Sequence, residues 1–319
     1  MRNLFQRQLA FLMAVFLVIS GIVSCPGQSE GPSKGGKKPT MAAAAAEKSQ
    51  KAHAQPKMLL SEFHAGKATK VQGGMIDFSA ASNGYIAARV TSRVRLKFQI
   101  IKDGETYTYD LPSNGRVTVY PLNMGDGTYR FRLMSQVEGS KYTELWSESK
   151  PVTLADEFVP YLRPNQMSQY NKKSNCVAKA YEVTKSCKKD IEMAGAIYEY
   201  LAKTITYDYD KAKSVRSGYV PDPDSTLKTK DGICFDYASL AAAMMRSQGF
   251  PCQVITGYLG KDELYHAWNR FYLKNKGWLT VEISANGKSW KRVDITAAAA
   301  GTKAKDLEDD QKYTTRYIY

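Results

Sequence analysis

The segment DGICFDYASLAAAMMRSQG, residues 231–249, decides the fold of the C-terminal half of this sequence. Gly232 lets the chain turn, and the apolar run from Ala238 to Met245 predicts a helix that ends near Gly249, a residue type suited to a helix C-cap. Because this run is apolar almost all the way round, we expect the helix to be buried at the centre of a domain. Cys234 then lies at the helix start, where backbone amides and the helix dipole favour thiolate over thiol.

Four strands are expected after this helix, in the stretches QVITGYL, YHAWNRFYL, GWLTVEI and SWKRVDIT. The second stretch contains His266 and the last contains Asp294. His266 is the only histidine after residue 64, so no other imidazole of this region is available as a base. On neighbouring antiparallel strands, Asp294 can accept a hydrogen bond from one ring nitrogen while the other nitrogen faces Cys234.

Two other interpretations of these residues stay open at this point. A cysteine among apolar residues is more often a small buried side chain than a nucleophile, and Cys252 is assigned to that class. A zinc site would use Cys, His and Asp in closely spaced pairs, and no such pairs occur. The sequence therefore predicts no metal and no cofactor.

Three ordered blocks carry a family resemblance: GICFDYASLAAAMMRSQGFPCQVITGY, then YHAWNRFY, then the strand that ends in VDIT. They resemble the bacterial transglutaminase-like superfamily over about residues 170–300. The resemblance implies a papain-like core in which a central helix packs on an antiparallel sheet, with Cys234 as nucleophile, His266 as general base and acid, and Asp294 as the orienting carboxylate. One departure is Ile295, where many relatives have proline. For the oxyanion, the natural donor is the backbone amide of Cys234, and the side chain of Tyr219 is a second candidate.

An all-β region precedes this core. Val94, Leu96, Phe98 and Ile100 alternate with polar residues, and the Asp-Gly pair at 103–104 predicts a hairpin turn. Further short alternating stretches separated by turn residues predict an immunoglobulin-like β-sandwich over residues 70–155. The fold class is therefore α+β, with the transglutaminase-like domain over residues 156–319.

The N-terminal region predicts export. Two arginines precede an apolar run that is too short for an ordinary membrane span, as in a signal peptide over residues 1–24. Cys25 ends a stretch that resembles the lipobox of bacterial lipoproteins, which implies lipidation of Cys25; an uncleaved anchor helix or an ordinary signal peptide is the alternative. Residues 25–69 are rich in Gly, Pro, Ser, Ala and Lys and predict a flexible linker.

The composition is that of a globular protein, with 43% hydrophobic and 24% charged residues over 319 positions. The net charge of +14 is spread along the chain rather than concentrated in one motif, so it does not predict nucleic-acid binding. Attraction to an anionic membrane or cell wall is the better explanation.

A pair of cysteines and a group of aspartates each allow two interpretations. Cys176 and Cys187 can form a disulfide only if the helix between them breaks near Ser186. The aspartates of the region 208–224 lack the spacing of an EF-hand, so a solvated acidic loop is favoured over a calcium site.

These patterns together predict an exported, lipid-anchored enzyme on the extracytoplasmic face of the cell membrane. Its thiol would form a thioester with a protein or peptide amide, and cell-wall peptides are candidate substrates; transglutaminase and cysteine peptidase chemistry are not distinguished. The alternative is a catalytically inactive binding or scaffold lipoprotein of the cell surface.

Overall fold

The computed structural model describes residues 54–259, 264–283, 290–291 and 313–319. These residues belong to one compact unit. The predicted signal peptide, Cys25, Asp294 and Ile295 lie outside the described residues. Within the described part of the chain, none of the helices combines the length and apolar character needed to cross a membrane.

The first half of the described chain contains eight strands in two four-stranded sheets, in which every neighbouring pair is antiparallel. Short 3-10 turns lie at Ala65–Lys67, Ala81–Asn83 and Val159–Tyr161. One sheet has the order β1-β2-β3-β6 and the other β5-β4-β7-β8. The strands are β1 (Thr69–Val71), β2 (Gly74–Asp77), β3 (Tyr85–Val90), β4 (Leu96–Lys102), β5 (Glu105–Leu111), β6 (Thr118–Pro121), β7 (Gly127–Glu138) and β8 (Lys141–Val152).

The predicted hairpin is confirmed between β4 and β5. Lys102 pairs with Glu105, and both turn residues have positive φ, 50° at Asp103 and 85° at Gly104, as a type I′ turn requires. Along β4, Leu96, Phe98 and Ile100 are buried while the residues between them are partly exposed. The alternation seen in the sequence therefore separates a core face from an outer face.

Aromatic side chains join the two sheets. Phe98 of β4 stacks on Tyr120 of β6 with ring centroids 5.0 Å apart, and Phe131 of β7 lies 4.9 Å from Phe78 just after β2. These rings form a shared core of buried side chains. The two-sheet arrangement is thus observed, and its immunoglobulin-like type stays a prediction.

The second half combines helices with a five-stranded sheet whose order is β14-β13-β12-β11-β15. A separate pair of two-residue strands, β9 (Thr206–Tyr207) and β10 (Asp231–Gly232), runs parallel. The helices are α1 (Asn175–Thr184), α2 (Asp190–Thr204), α3 (Tyr209–Ser214), α4 (Pro223–Thr229) and α5 (Cys234–Ser247). The sheet strands are β11 (Cys252–Leu259), β12 (Leu264–Leu273), β13 (Gly277–Ile283), β14 (Trp290–Lys291) and β15 (Tyr313–Ile318).

Helix α5 is the central helix that the sequence predicts. Every residue from Asp236 to Ser247 is buried, and Gly249 just beyond it has a φ of 85°. The side-chain amide of Asn269 on β12 donates to the carbonyl oxygens of Ala238 (2.9 Å) and Gln253 (3.0 Å), which ties the helix to the sheet. A helix packed on an antiparallel sheet is the arrangement expected of a transglutaminase-like core.

Strand β15 connects this sheet to the sandwich. It pairs with β11, where any Cβ on Gly257 would collide with the carbonyl of Thr314. The rings of Tyr317 and Tyr319 lie 5.0 and 5.7 Å from the ring of Tyr107 on β5. The last residues of the chain are therefore part of the core.

The end of the predicted linker also packs on the fold. The guanidinium of Arg163 donates to the carbonyl of Leu60 at 2.7 Å, and the hydroxyl of Ser61 donates to the carbonyl of Pro164 at 2.8 Å. Leu60 and Ser61 thus lie against Arg163 and Pro164, in the segment that joins the two halves.

Candidate active site

Cys234 is the first residue of helix α5, as the sequence predicts. It is half-buried, and its thiol is not in a disulfide. The first backbone amides of a helix have no partner within the helix, and together with the helix dipole they favour a negatively charged group near that end. The position therefore suits a thiolate nucleophile.

Asp236 holds the start of this helix. Its fully buried carboxylate accepts the backbone N–H of Ile233 at 2.8 Å, the ammonium of Lys211 at 2.7 Å and the hydroxyl of Tyr219. Partial burial lowers the pKa of Lys211, but the hydrogen bonds to Asp236 and Tyr219 outweigh it and leave that pKa above its ordinary value. The ammonium therefore stays charged and compensates the buried carboxylate.

Gly232 is required because it packs against Asp236, which its sequence context did not suggest. A Cβ at this position would lie 2.6 Å from the Cβ of Asp236, a distance that real Cβ atoms do not tolerate. The glycine is thus required by the close approach of the strand β10 to the first turn of α5, rather than by a turn alone.

Tyr207 is the site residue that sequence reasoning missed. It lines the same cleft as Cys234 and lies opposite Gly232 in the parallel pair of β9 and β10. Burial, followed by the charge of the neighbouring sulfur, raises the pKa of Tyr207 to about 12, so the phenol stays protonated at neutral pH.

His266 lies on β12 opposite Gly257 of β11. The imidazole is half-buried, and its ring is stacked on that of Trp268 with centroids 6.4 Å apart and planes 16° apart. His266 and Cys234 both line one cleft with a volume of about 600 Å³. The structure therefore brings two members of the sequence-predicted triad to the same cavity, and the third, Asp294, is outside the described residues.

The sandwich forms one side of this cleft through Lys97, Thr108 and Asp110. Asp110 accepts hydrogen bonds from Arg95 at 2.8 and 3.0 Å and from Lys97 at 2.9 Å. Gly218, with a φ of 87°, lies so close to this ion pair that a Cβ would collide with Arg95 and Asp110. The loop 215–220 is therefore held between the sandwich on one side and the Tyr219–Asp236 contact on the other.

The structure also places the other cysteines and His64. Cys252 is fully buried, as predicted, and burial raises its pKa to about 12. Cys176 and Cys187 are both free thiols, although α1 does end before Ser186. His64 lies 3.3 Å from the carboxylate of Asp77, far from the cleft residues in sequence.

Three of the four aspartates in the region 208–224 cap helices. Asp208 accepts from the amide of Lys211 at 2.8 Å, Asp222 from the amide of Ser225 at 3.1 Å, and Asp224 from the amide of Cys176 at 2.8 Å. Among the residues that the structure describes, no group of three or more His, Cys, Asp and Glu side chains is placed to hold a metal ion.

Comparison with known proteins identifies the region that contains Cys234 and His266. Residues 177–283 match the family model of the Transglutaminase-like superfamily. A stretch of 54 residues is 43% identical to the UPF0252 protein MJ1282 of Methanocaldococcus jannaschii, and this match spans 15% of this chain and 15% of that protein.

Three solved structures show more distant similarity. A candidate cysteine protease from Cytophaga hutchinsonii has a TM-score of 0.36 at 15% identity, covering 79% of this chain and 90% of that one. Legionella pneumophila LapG has a TM-score of 0.29 at 13% identity, covering 45% and 83%. Red sea bream transglutaminase has a TM-score of 0.32 at 12% identity, covering 72% and 56%.

Proposed function

We propose, from the match of residues 177–283 to the Transglutaminase-like superfamily, that this chain is a cysteine acyltransferase or hydrolase acting on protein or peptide amides. The observation that carries the proposal is the position of Cys234, at the first turn of a buried helix and in the same cleft as His266. A thiol with helix amides on one side and an imidazole in the same cavity has the parts needed for nucleophilic attack on a carbonyl.

The proposed reaction proceeds in two steps. The sulfur of Cys234 bonds to the amide carbonyl carbon while His266 takes the thiol proton, and the C–N bond then breaks as His266 passes that proton to the departing amine. The resulting thioester is attacked by a second amine, giving an isopeptide bond, or by water, giving a carboxylate; either attack restores the thiol. Asp294 is proposed to orient the imidazole and stabilise its charged form.

The proposed location is the extracytoplasmic face of the cell membrane. Support comes from the N-terminal sequence alone: a signal-like apolar run, Cys25 as lipid attachment site, and a linker rich in small residues. Cell-wall peptides or surface proteins are the substrates that such a location offers. The proposal assigns no cofactor, no metal and no nucleic-acid partner to the chain.

The sandwich is proposed to be of the immunoglobulin-like type. Its support is the strand order: β2, β3 and β6 are neighbours in one sheet, and β5, β4, β7 and β8 in the other, so the chain alternates between sheets as in a Greek-key sandwich. Its contribution of Lys97, Thr108 and Asp110 to the cleft suggests a role in substrate recognition.

The proposed function is tested with a peptide that contains glutamine, incubated with and without a primary amine and analysed by mass spectrometry. Amine incorporation identifies a transglutaminase, loss of ammonia alone a deamidase, and chain cleavage a peptidase. Cys234→Ser and His266→Ala should each abolish the product, whereas Cys187→Ser, which removes a free thiol outside the cleft, should leave it unchanged. An inactive wild-type chain that still binds peptides would favour the surface-binding alternative.

A further inference from the structure

Arg316 is the extra residue of a β-bulge in strand β15. The partners of β11 pass directly from Tyr317 to Thr315, so Arg316 between them has no residue opposite it. A bulge of this kind breaks the regular alternation of a strand and redirects the side chain at that point. The side chain of Arg316 is exposed, and it lines the cleft that contains Cys234.

The bulge lies two strands away from His266 in the same sheet. Gly257 of β11 pairs with His266 of β12 on one side and with Thr315 of β15 on the other. Because neighbouring strands are about 4.8 Å apart, the backbone of Arg316 lies about 10 Å from that of His266. An extended peptide advances about 3.3 Å per residue, so this distance corresponds to about three residues of a bound peptide.

Two contacts orient the guanidinium of Arg316. One of its terminal nitrogens donates to the hydroxyl of Tyr258 at 3.2 Å, and its central carbon lies 5.1 Å from the centre of the Tyr317 ring. Neither of these two partners is a carboxylate. A guanidinium is a planar fork of several N–H donors, which binds a carboxylate through two parallel hydrogen bonds. The geometry of Arg316 therefore suits an anionic group that enters the cleft from outside.

The charges of the cleft favour the same ligand. Of the described residues that line it, Lys97, Arg216 and Arg316 are cationic and Asp110 is the carboxylate. Asp110 already accepts hydrogen bonds from Arg95 at 2.8 Å and from Lys97 at 2.9 Å, so its charge is compensated. The exposed guanidinium groups of Arg216 and Arg316 thus give this part of the cleft a positive balance, which attracts anionic substrates.

We propose that Arg316 is a specificity-determining residue that binds a carboxylate of the substrate, so that the preferred substrate is an acidic peptide. The proposal rests on the proposed acyl-transfer function and concerns the choice of peptide rather than the chemistry at Cys234. The carboxylate belongs to a residue about three positions from the amide that is attacked, because the bulge lies about 10 Å from His266. Lys97 and Arg216 add attraction at longer range.

The test uses three peptides that each contain one glutamine and differ only at the third residue on either side of it, which is glutamate, alanine or lysine. Mass spectrometry of the products gives kcat/KM for each peptide. For the wild type we expect the glutamate peptide to exceed the alanine peptide about 10-fold, as one partly exposed hydrogen-bonded charge pair provides. The lysine peptide should be the poorest of the three.

Substitutions of Arg316 should change this order. Arg316→Gln should make the glutamate and alanine peptides equal, and Arg316→Glu should make the lysine peptide the best substrate. A reversed preference would not arise if Arg316 only supported the fold. The matched control is Arg93→Gln, which removes an exposed guanidinium outside the cleft and should keep the wild-type preference.

Equal kcat/KM for the three peptides in the wild type would overturn the proposal and leave the acyl-transfer function standing. Retention of the glutamate preference in Arg316→Gln would overturn it as well. A wild-type chain that converts none of the peptides contradicts the proposed function instead, and fluorescence anisotropy of the labelled peptides then decides the specificity alone. Tighter binding of the glutamate peptide to the wild type than to Arg316→Gln supports the proposal, and equal binding overturns it.

Discussion

The two ends of helix α5 both bury a charged side chain, and they compensate for it in opposite ways. At the N-terminal end, the carboxylate of Asp236 is neutralised by Lys211 beside a half-exposed thiol that faces the cleft. At the C-terminal end, the guanidinium of Arg246 is 1% exposed and donates to main-chain oxygens of Cys252 at 2.8 Å, Arg163 at 3.0 Å and Tyr319 at 3.0 Å.

The N-terminal end of α5 therefore belongs to the cleft, whereas its C-terminal end joins parts of the fold. Arg246 reaches three separate pieces of chain: the first residue of β11, the joint after the sandwich, and the residue that follows β15. Burial lowers its pKa, and the three carbonyl contacts replace the water that the guanidinium loses. Asp236 instead contacts Ile233 and Tyr219, which line the cleft, as well as Lys211, so its effect is concentrated on the cleft.

The largest expected effect is that of Arg246→Met. The substitution removes the hydrogen bonds from the guanidinium to three main-chain oxygens, of which that of Tyr319 still accepts the amide of Val254 at 2.8 Å. We expect it to lower the free energy of unfolding by about 3–5 kcal/mol, as breaking a buried charged contact does. Urea denaturation measures the loss. The control is the substitution of an exposed arginine, Arg93→Met, which should change the free energy of unfolding by less than about 0.5 kcal/mol. Equal stability of the two variants would show that the contacts of Arg246 do not stabilise the fold.

Asp236→Ala should have an intermediate effect on stability and a specific effect on the cleft. It removes the acceptor for the amide of Ile233 and the partner of Lys211, and since Lys211 can regain water, we expect a loss of about 2 kcal/mol. Alkylation of Cys234 should slow because the first turn of α5 loosens.

Asp222→Ala removes an ordinary cap from α4 and provides the comparison for Asp236. It should lower the free energy of unfolding by about 1 kcal/mol and leave the alkylation rate of Cys234 unchanged. Equal slowing of alkylation in both variants would show that Asp236 affects Cys234 no more than the cap of another helix does.

The smallest expected effect concerns Cys252, the buried thiol near the C-terminal end. Its pKa is about 12 in the folded protein because of burial, whereas a thiol in the unfolded chain loses its proton near pH 8.5. The folded state binds the proton more tightly, so this group destabilises the fold as pH rises from about 8.5 toward about 12, by up to about 1.4 kcal/mol per pH unit.

Urea denaturation of the wild type and of Cys252→Ala at about pH 9 and about pH 11 isolates this contribution, since the buried tyrosines act alike in both. The variant should lose less stability between the two values. Identical losses would contradict the prediction, as would rapid labelling of Cys252 in the native protein under conditions in which Cys234 is labelled.

Local signals explain why much of the fold was predictable. The apolar run after Cys234, Gly249 at its end and the alternating strands of the sheet depend on neighbours within a few residues, and the structure confirms them. The same holds for the Asp-Gly turn at 103–104. These features are set by helix and strand periodicity and by turn geometry, which are read directly from residue types.

The contacts around Cys234 were less accessible because they join distant segments. Tyr207 reaches the cleft through a parallel pair of two-residue strands, too short to leave a periodic pattern. Arginine is almost never fully buried, so no rule of residue type predicts that Arg246 lies in the core. Gly218 against Arg95 and Asp110 is a contact between the two halves, and its cause is visible only when both are folded.

Strand β15 has a consequence for the order of events during folding. The amide of Ile318 donates to the hydroxyl of Tyr107, a residue 211 positions earlier, and Arg316 and Tyr319 line the cleft beside Cys234. Contacts between such distant positions form after local ones. On a ribosome, the wall beside the sulfur therefore forms only when residues 313–319 have been made and docked.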